Sequence, residues 1–106
     1  MEIRVLRPGC SLALAGRLGS ATVGDVRTAL GDAIDSGVED LLVDLREVEL
    51  VDATGLGVLV GSHRRAERAG RRLVLRNVPE RIDRLLVATR LHRVLTVDRP
   101  AVGDVA

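Results

Sequence analysis

The sequence of 106 residues contains no Phe, Trp or Tyr, no lysine and a single cysteine. Proteins that bind single-stranded nucleic acid stack bases on aromatic rings, so the missing aromatics count against that class. The lone Cys10 excludes an internal disulfide, and no apolar run approaches the roughly 20 residues that cross a membrane. The first seven residues carry too many charges for a signal peptide. These absences favour a soluble, cytoplasmic protein that binds neither nucleic acid nor a membrane.

The charge and the hydrophobic content are those of an ordinary folded domain. The 16 basic residues nearly balance the 15 acidic ones, and the net charge of +1 gives no global support for nucleic-acid binding. Hydrophobic residues make up 46% of the chain, and a chain of this length removes roughly two-thirds of its unfolded surface from water. We therefore expect one domain, spanning residues 1–106, with a core of aliphatic side chains.

The first third of the chain predicts a hairpin and a helix. Residues 3–6 and 11–15 alternate in hydropathy on either side of the turn residues Arg7-Pro8-Gly9. Thr22 can cap the helix that follows, with Asp25 in capping-box position, and Ser36-Gly37 ends it. Its apolar residues fall on one helical face, at Val23, Val26, Leu30, Ala33 and Ile34.

The rest of the chain alternates strands with helices. A nearly continuous apolar run at residues 40–45 predicts the central strand of a sheet, and residues 52–55 look like the turn into a second helix that runs to about Ala69. A strand at residues 73–75, a third helix from Pro79 and a short strand or helix end at residues 94–97 follow. Residues beyond Pro100 show no pattern. The order predicts an α/β fold: a small mixed β-sheet of four to five strands with helices packed mainly on one face.

The second helix has an unusual outer side. At about 100° per residue, its core side carries Leu56, Leu59, Val60, His63, Ala66 and Gly70. Its outer side, here called the docking stripe, carries Thr54, Gly57, Val58, Gly61, Arg65, Arg68 and Arg72. Glycine inside a helix costs roughly 1 kcal/mol relative to alanine, and an apolar Val58 is expected to point to water. Either Gly57 and Gly61 let another backbone approach, or the glycines are simply tolerated or pack against a neighbouring element.

Thr54 stands at the predicted start of this helix, where free backbone N–H groups and the helix dipole favour an anion. Spacing alone favours an N-cap role for it. It could also be a phosphoacceptor, because the fold would tolerate a phosphate at this position. The phosphate would add about −1.5 to −2 charges to the docking stripe. Asp52 could orient the Thr54 hydroxyl, hold a metal beside a partner's nucleotide or cap the turn, and the sequence favours the cap.

The sequence offers no self-contained catalytic site. Residues 16–19 (GRLG) lack the spacing and the lysine of a nucleotide-binding loop, and neither histidine has a partner at metal-ligand spacing. Cys10, Ser20 and Thr22 have no evident base to activate them. We therefore expect a protein that is not an enzyme and that has no resident cofactor or metal, with His63 as a buried core residue.

Four segments carry a resemblance to a known family: residues 43–45 (VDL), 51–57 (VDATGLG), 63–66 (HRRA) and 70–75 (GRRLVL). In these segments the chain resembles the STAS domain family, and specifically the bacterial anti-sigma factor antagonists. The similarity extends from the first strand to residue 94. It implies a small sheet with helices packed mainly on one face, as the hydrophobic pattern also predicts.

The resemblance implies a switch between protein partners. In these antagonists the residue before the turn glycine is phosphorylated by the anti-sigma factor, a serine/threonine kinase that uses ATP and magnesium; carried over, this residue is Thr54. The unphosphorylated form binds the anti-sigma factor and frees the sigma factor, phosphorylation breaks the complex, and a serine/threonine phosphatase resets it. The residues expected to bind the partner are Ser20, Asp52, Ala53, Gly55, Gly57, Val58, Gly61 and Arg65.

Two positions depart from the family pattern. Ala53 replaces the first serine of the turn, which leaves Thr54 as its one hydroxyl. Gly19 stands where the family has an acidic residue, in a loop that helps to contact the kinase. An alternative is therefore a STAS module that is not phosphorylated and serves as a structural subunit of a signalling or lipid-transport assembly. A third possibility is an α/β domain that binds a small ligand.

Overall fold

A five-stranded mixed sheet with three α-helices makes up the part of the chain that the computed structural model describes, residues 1–98. The strands are β1 (Glu2–Arg7), β2 (Ser11–Leu18), β3 (Leu41–Val51), β4 (Leu73–Arg76) and β5 (Thr96–Asp98), and the helices are α1 (Val23–Asp35), α2 (Ala53–Arg68) and α3 (Glu80–Ala88). The order across the sheet is β1-β2-β3-β4-β5, with β1 antiparallel to β2 and the other neighbours parallel. The predicted α/β class and mixed sheet are confirmed.

One face of the sheet is covered and the other is partly open. Leu12 and Val43 are buried, whereas Ser11 and Leu42, one position earlier on each strand, are half-buried. The parallel register places Leu12 beside Val43, so the buried side chains form rows across the sheet. These rows share one apolar core with the inner faces of the three helices, which confirms that the helices pack mainly on one face.

The strand β3 lies at the centre of the sheet, as its apolar run predicts. It pairs with β2 from Leu42 to Val51, but with β4 only from Leu41 to Asp44. The carboxyl-terminal half of β3 extends past β4 and leads directly into α2. The start of α2, where the candidate site lies, is therefore positioned by the central strand.

The helix α1 buries the predicted face but begins differently from the prediction. Val26, Leu30 and other apolar residues of that face are buried. Thr22 occupies the N-cap position, yet its hydroxyl makes no capping bond and the predicted capping box with Asp25 does not form. The Thr22 hydroxyl instead donates to the carbonyl oxygen of Arg17 at 2.8 Å and accepts from the Gly19 amide at 3.1 Å. It closes the loop between β2 and α1 rather than the first turn of the helix.

A buried arginine that no sequence pattern singles out joins three segments. Arg71 is 5% exposed, and its guanidinium donates to the carbonyl oxygens of Ala33 (2.7 Å), Ile34 (3.0 Å), Gly9 (2.5 Å) and Glu39 (2.7 Å). Two of these carbonyls belong to the last turn of α1, where the helix dipole favours a cation. The side chain therefore holds the end of α1 against the β1–β2 turn and the loop before β3.

Of the two structures predicted for residues 94–97, a short strand or a helix end, the structure has the strand, which begins at Thr96. Residues Leu91–Arg93 form a 3-10 turn, and β5 pairs parallel to β4. The helix α3 begins after Pro79 and turns Ile82 and Leu86 into the core, with Leu85 half-buried. None of the helices within residues 1–98 is long and apolar enough to span a membrane. The patternless residues beyond Pro100 lie outside the described part of the chain.

Candidate docking site at the start of helix α2

The helix α2 begins directly after β3 because Asp52 caps it. Asp52 has an extended backbone (φ −94°, ψ −177°), and its Oδ1 accepts a hydrogen bond from the Gly55 amide at 2.8 Å. The capping role predicted for Asp52 is thus confirmed. The prediction that Thr54 is the N-cap is wrong, because Thr54 is the second residue of the helix. An aspartate cap leaves the Thr54 hydroxyl without a capping role.

The carboxylate of Asp52 also joins α2 to the loop after β2. Its Oδ2 accepts a hydrogen bond from the Ser20 amide at 3.2 Å, and the Asp52 amide donates to the Leu18 carbonyl oxygen at 3.1 Å. A Cβ atom on Gly19 would lie 2.6 Å from the same Oδ2. The space that a side chain at position 19 needs is therefore occupied by Asp52, which accounts physically for glycine at this departure from the family pattern.

Thr54 is exposed, and its hydroxyl has no hydrogen-bond partner within residues 1–98. Ala53 beside it is exposed as well. The first turn of α2 contains no acidic residue, and its unpaired N–H groups form the positive end of the helix dipole. This position is accessible to another protein, and the positive end of the helix dipole there faces the carboxylate of Asp52.

Gly55 has a different environment from the other glycines of α2. It is buried, and a Cβ atom there would collide with the backbone carbonyl of Leu18. Glycine at this position lets α2 lie close to the end of β2. The expectation that Gly55 lies on the surface that meets a partner is corrected. Gly55 is buried against β2, and this contact positions its exposed neighbours in α2.

The docking stripe borders a groove of about 320 Å³ between α1 and α2. Gly57 and Gly61 are exposed, and a Cβ atom on either would meet nothing within 4 Å. They do not pack against a neighbouring element of the described chain. Val58 is only 4% exposed, so the prediction that it points to water is wrong. It lies at the bottom of the groove, together with the buried Ser62.

Three arginines line this groove. Arg27 comes from α1, and Arg65 and Arg68 come from α2. Nη2 of Arg65 lies 2.8 Å from Oδ2 of Asp35, at the end of α1. The same guanidinium lies over Gly31, where a Cβ atom would be 2.5 Å from Nη1. The groove therefore has a floor of small residues and a basic rim shared by both helices.

The docking stripe ends earlier than predicted. Arg72 follows α2 instead of lying on it, and its Nη2 donates to Oδ2 of Asp40 at 2.6 Å. This hydrogen bond and the negative charge of Asp40 raise the pKa of the Arg72 guanidinium above its ordinary value. Gly70, which was predicted on the core side, is exposed with a positive φ of 74°. The basic rim on α2 thus ends at Arg68.

His63 is buried, as predicted for the core side of α2. Its Nε2 lies 3.5 Å from Oε1 of Glu67, one helical turn further on. Its Nδ1 has no hydrogen-bond partner in the described part of the chain. Residues 1–98 contain no group of three or more His, Cys, Asp or Glu side chains that could hold a metal ion.

The structure brings the predicted partner-binding residues into two adjacent groups. The first group surrounds the start of α2 and consists of Ser20, Asp52, Ala53 and Thr54; the second borders the groove and consists of Gly57, Gly61 and Arg65. Three residues of the groove were missed: Arg27, Gly31 and Ser62. Arg27 and Gly31 are four residues apart on α1, a spacing that marks one side of a helix. Only the packing of α1 on α2 shows which side that is.

A comparison with known families and structures places this fold. The sequence model described as "Mlab, STAS domain" matches residues 4–97. The chain belongs to the STAS domain family. A curated relative of this STAS domain is the anti-sigma-B factor antagonist of Bacillus subtilis (strain 168), which is 32% identical over 92 residues, covering 87% of this chain and 84% of the relative. The family resemblance seen in the VDATGLG turn and its neighbouring segments is confirmed.

Solved structures agree on the fold. A candidate anti-sigma factor antagonist from Thermotoga maritima has a TM-score of 0.75 at 19% identity, covering 98% of this chain and 90% of that one. The anti-sigma factor antagonist SpoIIAA in its unphosphorylated form has a TM-score of 0.71 at 20% identity, covering 92% of this STAS domain and 87% of SpoIIAA. The phosphorylated form of SpoIIAA, from Bacillus, has a TM-score of 0.66 at 19% identity, covering 99% of this STAS domain and 98% of that chain.

Proposed function

We propose that this STAS domain is an anti-sigma factor antagonist that works by partner switching. In this proposal the unphosphorylated chain binds an anti-sigma factor kinase and frees a sigma factor, phosphorylation of Thr54 breaks the complex, and a serine/threonine phosphatase restores it. The general role is supported by the curated relative and by SpoIIAA, both named as antagonists. SpoIIAA has been solved in phosphorylated and unphosphorylated forms.

The observation that carries the proposal is the environment of the Thr54 hydroxyl. It is exposed and makes no hydrogen bond within residues 1–98, and it lies on the same helix as the open glycines of the docking stripe. A kinase needs a hydroxyl that it can reach without unfolding its substrate. The Asp52 cap supplies this, because it satisfies the helix start without using the Thr54 side chain.

Electrostatics explains how one phosphate could release a partner. A phosphate on Thr54 adds about −1.5 to −2 charges at a surface that otherwise presents N–H groups, arginines and the carboxylate of Asp52. A kinase that has just donated a phosphate holds a nucleotide and acidic metal-binding groups close by. Juxtaposed like charges at an interface cost several kcal/mol, enough to dissociate a complex of moderate affinity.

The test is phosphate transfer measured by intact mass. The purified chain is mixed with magnesium, ATP and, in turn, each histidine-kinase-like ATPase encoded in the source genome. We expect one kinase to add one phosphate, which fragmentation assigns to Thr54. The Thr54→Ala variant should stay unmodified, while Thr28→Ala, which removes an exposed hydroxyl on α1, should be modified like the parent chain.

The same experiment separates the proposal from its alternative. A chain that binds a kinase or transport ATPase tightly, but accepts no phosphate from any of them, would be a structural STAS module rather than a switch. Phosphate on a residue other than Thr54 would contradict the acceptor assignment while keeping the switching role.

A further inference from the structure

We infer that the groove between α1 and α2 binds an acidic helix of the anti-sigma factor. The inference rests on the proposed function, because it names the chemistry of the partner that the docking stripe meets. It is carried by three properties of the groove: its partly uncompensated positive charge, its open glycine floor and a serine hydroxyl at its surface that has no partner among residues 1–98.

The charge of the groove is only partly compensated. Of its three arginines, Arg65 is paired with Asp35. Arg27 and Arg68 are exposed and have no carboxylate partner among residues 1–98. Two cations therefore face the same groove from opposite helices. Complementary charge on a partner steers its approach and fixes its register, so carboxylates are the groups expected opposite them.

The glycine floor is not explained by packing within the chain. A Cβ atom on Gly31 would meet the far end of the Arg65 side chain, but Gly57 and Gly61 have open space where a Cβ atom would stand. Each lowers the helix stability by roughly 1 kcal/mol relative to alanine. Small residues at this spacing let a second helix backbone approach closely. A partner helix would use the space that these two residues leave open.

Ser62 supplies a hydrogen-bonding group that faces the groove. Its side chain lines the groove and the residue is only 6% exposed. Its hydroxyl makes no hydrogen bond to any described residue. Its Oγ is not one of the fully enclosed unpaired atoms, which are Nδ1 of His63 and Nδ1 of His92 among the described residues, so it reaches the groove surface and is open to a polar group from outside the chain. A carboxylate of the partner helix is an acceptor suited to this hydroxyl.

The dimensions favour a helix over a small anion. Gly57 and Arg68 are eleven residues apart, so the groove follows α2 for about 16 Å, which is about three helical turns. A single phosphate would cover only one end. Thr54 lies three residues before Gly57, about 4.5 Å along the helix axis. A phosphate on Thr54 would therefore stand at the Gly57 end of the groove, where its negative charge would oppose an acidic occupant.

The direct test uses a synthetic acidic helix as the probe. An alanine-based peptide of about 20 residues, long enough to be helical, carries glutamates along one face and one tryptophan. Because the protein contains no Trp, Tyr or Phe, the fluorescence comes from the peptide alone. We expect the glutamate peptide to bind at least about tenfold more tightly than its glutamine counterpart, and to weaken as salt screens the charges.

Variants of the full chain assign this binding to the groove. Arg27→Gln with Arg68→Gln should weaken the glutamate peptide about tenfold or more. The matched control is Arg64→Gln with Arg46→Gln, which removes two exposed arginines outside the groove and should leave binding unchanged. An equal loss of affinity for the glutamate peptide in both double variants would overturn the inference. Equal binding of the glutamate and glutamine peptides to the parent chain would overturn it as well.

Two further outcomes keep this inference separate from the proposed function. Inorganic phosphate or ATP that protects the groove arginines, and competes fully with the peptide, would identify a small-anion site and overturn the acidic helix. A kinase that phosphorylates Thr54 and binds the Arg27/Arg68 double variant as tightly as the parent chain would also overturn it. In that second case the switching function would stand.

Discussion

The backbone amide of Ser20 donates to Oδ2 of Asp52 at 3.2 Å, which ties the loop after β2 to the start of α2. The other oxygen of the same carboxylate accepts from the Gly55 amide. One side chain therefore holds both of the segments that flank Thr54. This arrangement makes the geometry of the proposed phosphorylation site depend on a single residue.

Replacing Asp52 with alanine is expected to lower the free energy of unfolding by about 1 kcal/mol or somewhat more. The Gly55 and Ser20 amides would both lose their acceptor. Asp52→Asn should be milder, because asparagine is also a good N-cap. Urea unfolding followed by far-UV circular dichroism measures the change. Asp32→Ala, which removes an exposed carboxylate on α1, is the control, and an equal loss there would contradict the capping explanation.

Alanine substitutions at the glycines of α2 are expected to have opposite signs. Gly57→Ala and Gly61→Ala should each stabilise the chain by about 1 kcal/mol, because alanine favours the helix and the new methyl group meets open space. Gly55→Ala should destabilise it by about 3 kcal/mol, since its Cβ atom collides with the Leu18 backbone. Thermal unfolding compares the three variants. Stabilisation by all three would mean that the close contact between α2 and β2 is not needed.

The buried guanidinium of Arg71 is expected to be among the most important polar groups for stability. Arg71→Leu should cost about 3 kcal/mol or more, because four carbonyl oxygens lose a charged donor that is shielded from water. Arg71→Lys should recover only part of this, since an ammonium group cannot reach all four oxygens. Arg72→Leu, at the exposed neighbouring position, should cost less than about 1 kcal/mol. Similar losses of stability at both positions would contradict the role of Arg71 in joining the three segments.

Thr54→Glu is expected to weaken binding of the anti-sigma factor by about tenfold or more, because it places a negative charge at the partner surface. Thr54→Ala should keep the parent affinity. Thr28→Glu adds the same charge on α1 and serves as the control. The melting temperature of Thr54→Glu should not fall, since a carboxylate in the first turn of a helix is favourable. Unchanged binding of a folded Thr54→Glu variant in calorimetry would contradict the switch.

Most of the fold could be predicted because local patterns and packing agree along this chain. The apolar run of β3 marks the central strand of the sheet, although only one of its faces is fully buried, and the helical spacing in α1 marks the side that is buried. The turn chemistry of Pro8-Gly9 placed the hairpin. These features depend on neighbours in sequence, so the sequence alone was sufficient.

The errors arose where the outcome depends on contacts between distant segments. A helical projection predicts that Val58 points to water, because it does not show that α1 packs beside this residue. The spacing around Thr54 was compatible with a cap at either of two residues, and the end of β3 decided in favour of Asp52. Arg71 was overlooked because its partners are backbone carbonyls, which leave no mark in the sequence.

The unequal pairing of β3 makes its two ends differ in how readily they open. Its first residues are flanked by both β2 and β4, whereas from Glu47 to Val51 it pairs with β2 alone. Local unfolding occurs most easily where ladder bonds and packed neighbours are fewest, so amide exchange should be faster at the end that leads into α2. Thr54, the proposed phosphorylation site, then follows the end of β3 that opens more readily. Small adjustments of this end to a partner surface would leave the opposite end, and with it the domain, folded.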